Sequence, residues 1–167
     1  MTTIRDARAA DLPAIVAIYN AAIPGRMATA DTDPVTVESR RAWFAEHGPD
    51  FRPLWVASRE GAMVGWLSFQ SFYGRPAYRA TAEISVYVAP GHHRAGVGRA
   101  LLSRAIAAGP GLGLRTLLGF VFAHNAPSLG LFEGLGFRRW ALLPGVAEIE
   151  GVERDLVIVG RRIDEPA

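Results

Sequence analysis

The sequence predicts a mixed α/β fold built on one long sheet with helices on both faces. Three observations carry this. Residues 81–108 run strand, glycine-rich loop and helix in immediate succession. The order along the chain is strand, two helices, three strands, helix, strand, helix, two strands. No repeat, low-complexity segment or linker interrupts it, so residues 1–167 read as a single layered domain around one core.

In chain order, Thr3 to Arg8 alternates and opens as a strand. Asp11 can cap a first helix with Pro13 in its first turn, and Leu12, Ile15, Val16 and Tyr19 supply the apolar stripe. Asn20 to Asp33 lacks a period and carries Pro24-Gly25, which predicts a loop or lid. Asp33-Pro34 is expected to start a second helix through Val37, Arg41 and Phe44, ending near His47-Gly48-Pro49. Leu54–Ala57 and Met63–Phe69 read as a hairpin turned at Glu60-Gly61, and residues 73–78 as a linker.

The central strand places Ile84, Val86 and Val88 on one face and Glu83, Ser85 and Tyr87 on the other. Pro90 ends it, having no amide for a ladder. From Gly96 the period changes: Val97, Leu101 and Ala105 recur every four residues until Gly109-Pro110, with Gly109 expected as a left-handed cap. Thr116 to Phe122 suits a buried strand. Asn125 opens a helix through Leu129, Phe132 and Leu135 that stops at Gly136, and a final antiparallel pair turns at Glu150-Gly151.

Composition narrows the function. Half of the 167 residues are hydrophobic, enough for one substantial core. There is no cysteine, which excludes disulfides, thiolate metal sites and a cysteine nucleophile. The start Met-Thr-Thr-Ile-Arg-Asp is no signal peptide, and no apolar run reaches the ~20 residues of a membrane span. A soluble cytoplasmic protein is expected. All 18 basic residues are arginine, and they are scattered rather than gathered into the stripe that nucleic acid requires.

The loop His93-Arg94-Ala95-Gly96-Val97-Gly98 brings side-chain-free backbone to the first turn of a helix. Unpaired amides and the positive end of the helix dipole suit a phosphate there, although two glycines also ease a tight turn. A Walker loop requires a lysine, and the chain has none. A dinucleotide fingerprint requires a third glycine where Leu101 stands and an acid some 20 residues on, where the chain reads Leu117-Leu118-Gly119.

The loop resembles motif A of the GNAT acetyltransferases, Gln/Arg-x-x-Gly-x-Gly/Ala, with His93 at the first position. Asn125-x-x-Ser128-x-x-x-Phe132-x-x-x-Gly136-Phe137 resembles their motif B, with Phe132 where a tyrosine is frequent. Ile18-Tyr19-Asn20, Arg40-Arg41-x-Trp43-Phe44 and the stretch Arg75-x-Ala77-Tyr78 to Val88 are similar to the phosphinothricin and methionine-sulfone acetyltransferase group.

The resemblance covers nearly the whole chain. It implies a mostly antiparallel GNAT sheet with the acetyl-CoA loop between the fourth strand and the third helix. It also implies acetyl-CoA as co-substrate, a small-molecule amine as acceptor, and a homodimer without metal, nucleic acid or membrane. Val86, Tyr87, Val88, the loop His93 to Gly98, Asn125, Ser128 and Phe132 are the implied cofactor contacts. The histidine that some members carry near the last strand is replaced around Arg154.

Amine acetylation needs a base, an oxyanion donor and a leaving thiolate. Glu83 is the candidate base; the alternative is a strand carboxylate paired with Arg75 or Arg79. A backbone amide near Tyr87 or Val88 is the candidate oxyanion donor, because a splayed strand end leaves amides unpaired. Tyr87 or Tyr73 could assist the leaving thiolate. Arg75, flanked by Tyr73 and Tyr78, is the candidate for a substrate carboxylate; the alternative is a solvated loop arginine. His92 and His93 lack the convergent ligands of a metal site. Acetylation of a protein N-terminus or polyamine, or acyl-CoA sensing without turnover, are the competing functions.

Overall fold

A computed structural model describes residues 1–164. Its elements are β1 (Thr3–Asp6), α1 (Leu12–Ala22), α2 (Arg41–Ala45), β2 (Leu54–Arg59), β3 (Ala62–Ser71), β4 (Thr81–Val88), α3 (Val97–Ala108), β5 (Thr116–Phe122), α4 (Ala126–Glu133), β6 (Arg138–Ile149) and β7 (Val152–Arg162). They form one seven-stranded sheet in the order β1-β2-β3-β4-β5-β7-β6. Every pairing is antiparallel except β4 with β5.

Alternation along the strands divides the core into two layers. Trp55 and Ala57 on β2, and Ala82 and Ile84 on β4, pack with Val97, Leu101, Leu102 and Ala105 of α3 and with Leu129 and Phe132 of α4. Leu54, Val56 and Trp66 point the other way, onto Ile15 and Ile18 of α1, with Trp43, Phe44 and Tyr87 beside them. Leu101 and Leu102 are fully buried, each worth about 1.5–3 kcal/mol of apolar transfer. Arg104, on the outer side of α3, donates to the Ile4 carbonyl at 2.7 Å and lies over the Trp55 ring.

Two boundaries differ from the sequence expectation. The second helix begins at a 3-10 turn over Glu38–Arg40 and not at Asp33-Pro34. Thr36 and Ser39 exchange backbone-to-hydroxyl bonds at 3.0 and 3.2 Å and act as the true start. Upstream, the Asn20 side chain clamps Val35, accepting from its N–H and donating to its C=O at 2.9 Å each, which holds that segment out of a helix.

Gly109 is the second difference. Its φ is −53°, an ordinary right-handed value, so it is no left-handed cap. A Cβ there would lie 2.2 Å from Ile163 Cδ1, so glycine serves close approach of the last strand. The described residues contain no helix long and apolar enough to cross a membrane.

Candidate active site

The junction of β4 and α3 forms the loop read from the sequence. Gly91, Arg94 and Gly96 all have positive φ, and Gly96 at +80° precedes the first helical residue. Ala100 N–H is the first to reach back along the helix, to the Gly96 carbonyl at 3.0 Å. The amides of Val97, Gly98 and Arg99 therefore stand free of backbone acceptors among the described residues, at the positive end of a twelve-residue helix. A Cβ on Gly96 would meet nothing, so that surface is open.

Gly98 differs. It is buried, and a Cβ there would sit 3.1 Å from Leu131 Cδ2 and close to Val86 and Val88. Its missing side chain therefore serves helix packing on the sheet, while its amide faces the loop's anion position by virtue of being in the first turn. His93, Arg94 and Ala95 are exposed around it.

Below the loop the sheet splits. β4 pairs with β5 only over Thr81–Glu83. On its other side β4 follows β3 throughout, with Ala89 N–H bonded to the Val64 carbonyl and Trp66 opposite Tyr87. Hydrogen-bonded pairs alternate along an antiparallel ladder, so Tyr87, like Ala89, turns its N–H to β3. The amides of Val86 and Val88 turn to the opened side. This narrows the sequence expectation of an oxyanion donor near Tyr87 or Val88 to Val88 and its neighbour Val86.

A cavity of about 390 Å³ fills the split. Glu83, Val86, Tyr87, Asn125, Ser128 and Phe132 line it, which gathers six of the sequence-predicted residues. The segment after α1 closes one side. Its carbonyls at Arg26, Met27 and Ala28 bond to His124 Nε2 at 3.0 Å, Asn125 Nδ2 at 3.2 Å and the Tyr87 hydroxyl at 3.1 Å. The Asn125 carbonyl oxygen accepts from Ser128 N–H and caps α4, so its amide is engaged at both ends. Phe132 is a packing residue, buried edge-on against Phe137 at 5.0 Å.

Across Tyr87 lies a second cavity of about 150 Å³, between α1, α2 and the β3–β4 face. Trp43, Trp66, Tyr19 and Tyr87 wall it; Trp66 and Tyr87 stack at 4.7 Å. Ser68, Gln70 and Ser85 form a polar floor and bond through their side chains to no described residue. Among the described residues Arg40 is the only cation lining either cavity, held by Asp31 at 3.0 Å and lying 5.0 Å from the Tyr19 ring centre.

Glu83 lines the larger cavity and sits opposite Gln70, which lines the smaller one, in the β3–β4 register. It is half-buried and makes no ion pair among the described residues; neither Arg75 nor Arg79 reaches it. Burial alone pushes its carboxyl above the ordinary range. Burial, with Tyr19 beside it, also pushes the Tyr87 phenol up, which keeps its hydroxyl protonated.

Tyr73, Arg75 and Tyr78 lie apart from both cavities. They are exposed on the β3–β4 connection, where Tyr73 and Tyr78 cluster on Phe72. The sequence reading missed Arg40, Tyr19 and Trp43 as site residues, although all three fall in stretches already noted for resemblance. Among the described residues no His, Asp and Glu cluster could hold a metal ion.

Open amides at a helix start beside a split sheet suit a pyrophosphate followed by an extended arm. The model of the Acetyltransferase (GNAT) family matches residues 15–137. The chain belongs to this family. The enzyme is an acetyl-CoA-dependent acetyltransferase. It is 51% identical over 162 residues to YwnH of Bacillus subtilis, provisionally named a phosphinothricin acetyltransferase, covering 96% of this chain and 99% of that one.

It is 34% identical over 163 residues to the L-methionine sulfoximine/L-methionine sulfone acetyltransferase of Pseudomonas aeruginosa, covering 97% and 95%. Among solved structures, a phosphinothricin acetyltransferase from Sinorhizobium meliloti in complex with acetyl-CoA superposes with a TM-score of 0.91 at 30% identity, covering 96% and 88%.

Proposed function

We propose that the enzyme acetylates the free amino group of a small amino acid or analogue, of the phosphinothricin or methionine sulfone/sulfoximine type, with residues 1–167 acting as one catalytic domain. The observation that carries this is Glu83, a half-buried carboxylate that lines the larger cavity and has no ion-pair partner among the described residues. Acetyl-CoA supplies a thioester and a thiol of pKa near ~8.5, a tolerable leaving group without an acid catalyst.

The chain's own groups do the rest. The free amides at Val97, Gly98 and Arg99 hold the pyrophosphate, helped by exposed His93, Arg94 and Ala95. Val86, Val88, Ser128 and Phe132 border the arm that enters the split. Glu83 takes the proton of the acceptor ammonium, directly or through water, and its raised affinity for a proton matches that task. The Val86 and Val88 amides point where negative charge develops. Tyr87 stands between the two spaces, with its hydroxyl held on the Ala28 carbonyl, and is placed to assist the leaving thiolate.

Arg40 is the better anchor for an acceptor carboxylate, because it lines the cavity and Asp31 engages only one of its nitrogens. Arg75, with Tyr73 and Tyr78, would serve an acceptor that reaches out over the rim. Among the described residues Glu83 is the single acid lining the two cavities, which argues against a polyamine, and the aromatic walls and small volume argue against a protein terminus. We place the enzyme in the cytoplasm as a homodimer. Exposed Trp140, Leu142, Val146 and Val152 on the open β6–β7 edge support self-association, which light scattering on the eluting protein would test.

Thiol release from acetyl-CoA tests the reaction, with phosphinothricin, methionine sulfone, methionine sulfoximine, ordinary amino acids, a polyamine and an N-terminal peptide as acceptors. Release with the first three is expected. Release only with the peptide or polyamine would replace the proposal, and binding of acetyl-CoA without release from any would make the chain a sensor.

A further inference from the structure

We infer that Arg59, on the hairpin tip between β2 and β3, is a positioning residue for the pyrophosphate loop. Its Nη2 donates to the Ala95 carbonyl at 2.6 Å, and its Nε donates to Thr2 Oγ1 at 2.6 Å. Two corners of the guanidinium are thus fixed, and the group reaches the loop from a strand remote in sequence. The tip itself is rigid: Glu60 and Gly61 have φ of +50° and +81°, as a tight two-residue turn of the type that matches strand twist requires.

Ala95 directly precedes Gly96, and no peptide bond of the described chain is cis. In a planar trans peptide the C=O and N–H point in opposite directions. Fixing the Ala95 carbonyl on Arg59 therefore aims the Gly96 N–H away from Arg59, toward the open side of the loop. The same bond withdraws a carbonyl dipole that would otherwise be free to swing toward a bound anion.

Arg59 forms no ion pair among the described residues, so its charge stays uncompensated beneath the loop. It lines neither cavity and holds the peptide that leads into Gly96, the residue before the helix. Its action is on the loop and is independent of which amine is acetylated.

Calorimetric titration with CoA tests this directly and needs no acceptor, so failure of the acceptor assignment leaves the test intact. Arg59→Ala should weaken CoA about tenfold or more, while Arg59→Lys, which keeps a single donor and the charge, should recover part of the loss. With an acceptor that passes the thiol-release screen, kcat/KM for acetyl-CoA should fall. The value for S-acetylpantetheine, which lacks the pyrophosphate, should stay near wild type.

Unchanged CoA affinity in folded Arg59→Ala would overturn the inference. So would an equal loss with both acyl donors, which would mark general damage. Should Arg59→Ala fail to fold, Thr2→Ala removes only the Nε partner: a smaller loss of CoA affinity supports the clamp, and no loss in that variant or in Arg59→Lys overturns it.

Discussion

Replacing Glu83 by Gln separates catalysis from structure in a single variant. The side chain keeps its size and loses its charge and basicity. If Glu83 takes the ammonium proton, kcat should fall by about 10²-fold or more, the scale of a positioned general base. At about 1.36 kcal/mol per tenfold this corresponds to about 2.7 kcal/mol of barrier. CoA affinity should remain near wild type, because the loop amides and not Glu83 hold the pyrophosphate.

Stability should move the opposite way from activity. Burial raises the Glu83 pKa in the folded protein, and no cation offsets it. The stabilisation from this group is therefore complete below the unfolded carboxylate pKa and is lost as pH rises through the folded value. Above that window the wild type carries a desolvated charge, and Glu83→Gln should melt higher.

Activity of the wild type should rise across the same window as the carboxylate ionises. The variant should keep only the rise due to the amine itself. Measuring kcat, CoA affinity and melting temperature against pH on one preparation decides the matter. A lower melting temperature with kcat unchanged at saturating amine would refute both the base assignment and the desolvation argument.

Gly98→Val should cost about 1–3 kcal/mol in urea unfolding, since its side chain meets Leu131 and the β4 valines and overpacks the helix–sheet contact. Asn125→Ala should lose about 2 kcal/mol by the same measurement, about 1 from the α4 cap and about 1 from the bond to Met27. Prolonged incubation with acetyl-CoA should add at most one acetyl group, on the α-amino terminus, because the chain has no lysine. Intact-mass spectra with several stable adducts would contradict that.

The strand–loop–helix unit around β4 and α3 was legible because its signals are local. Alternation in residues 83–88, a proline stop and a four-residue apolar repeat each depend on a few adjacent residues. The same holds for the hairpin at Glu60-Gly61 and the stop at Gly136, both of which have positive φ. Where a distant residue intervened, local signals misled. Pro34 reads as a helix start, yet Asn20 holds Val35 extended. Gly109 reads as a cap, yet Ile163 is what requires it to lack a side chain.

The site divides along the same line. Sequence alone pointed to the class of chemistry: two glycines at a helix start, a carboxylate on the strand face opposite Ile84, Val86 and Val88, and no thiol or lysine. Only the tertiary structure decided that Glu83 has no arginine partner among the described residues, that Val86 and Val88 rather than Tyr87 turn their amides away from β3, and that Arg40 and not Arg75 lines a cavity. Backbone periodicity and turn residues are written in neighbouring positions, whereas burial, ion pairing and the direction of an amide depend on which strands pair and where that pairing stops.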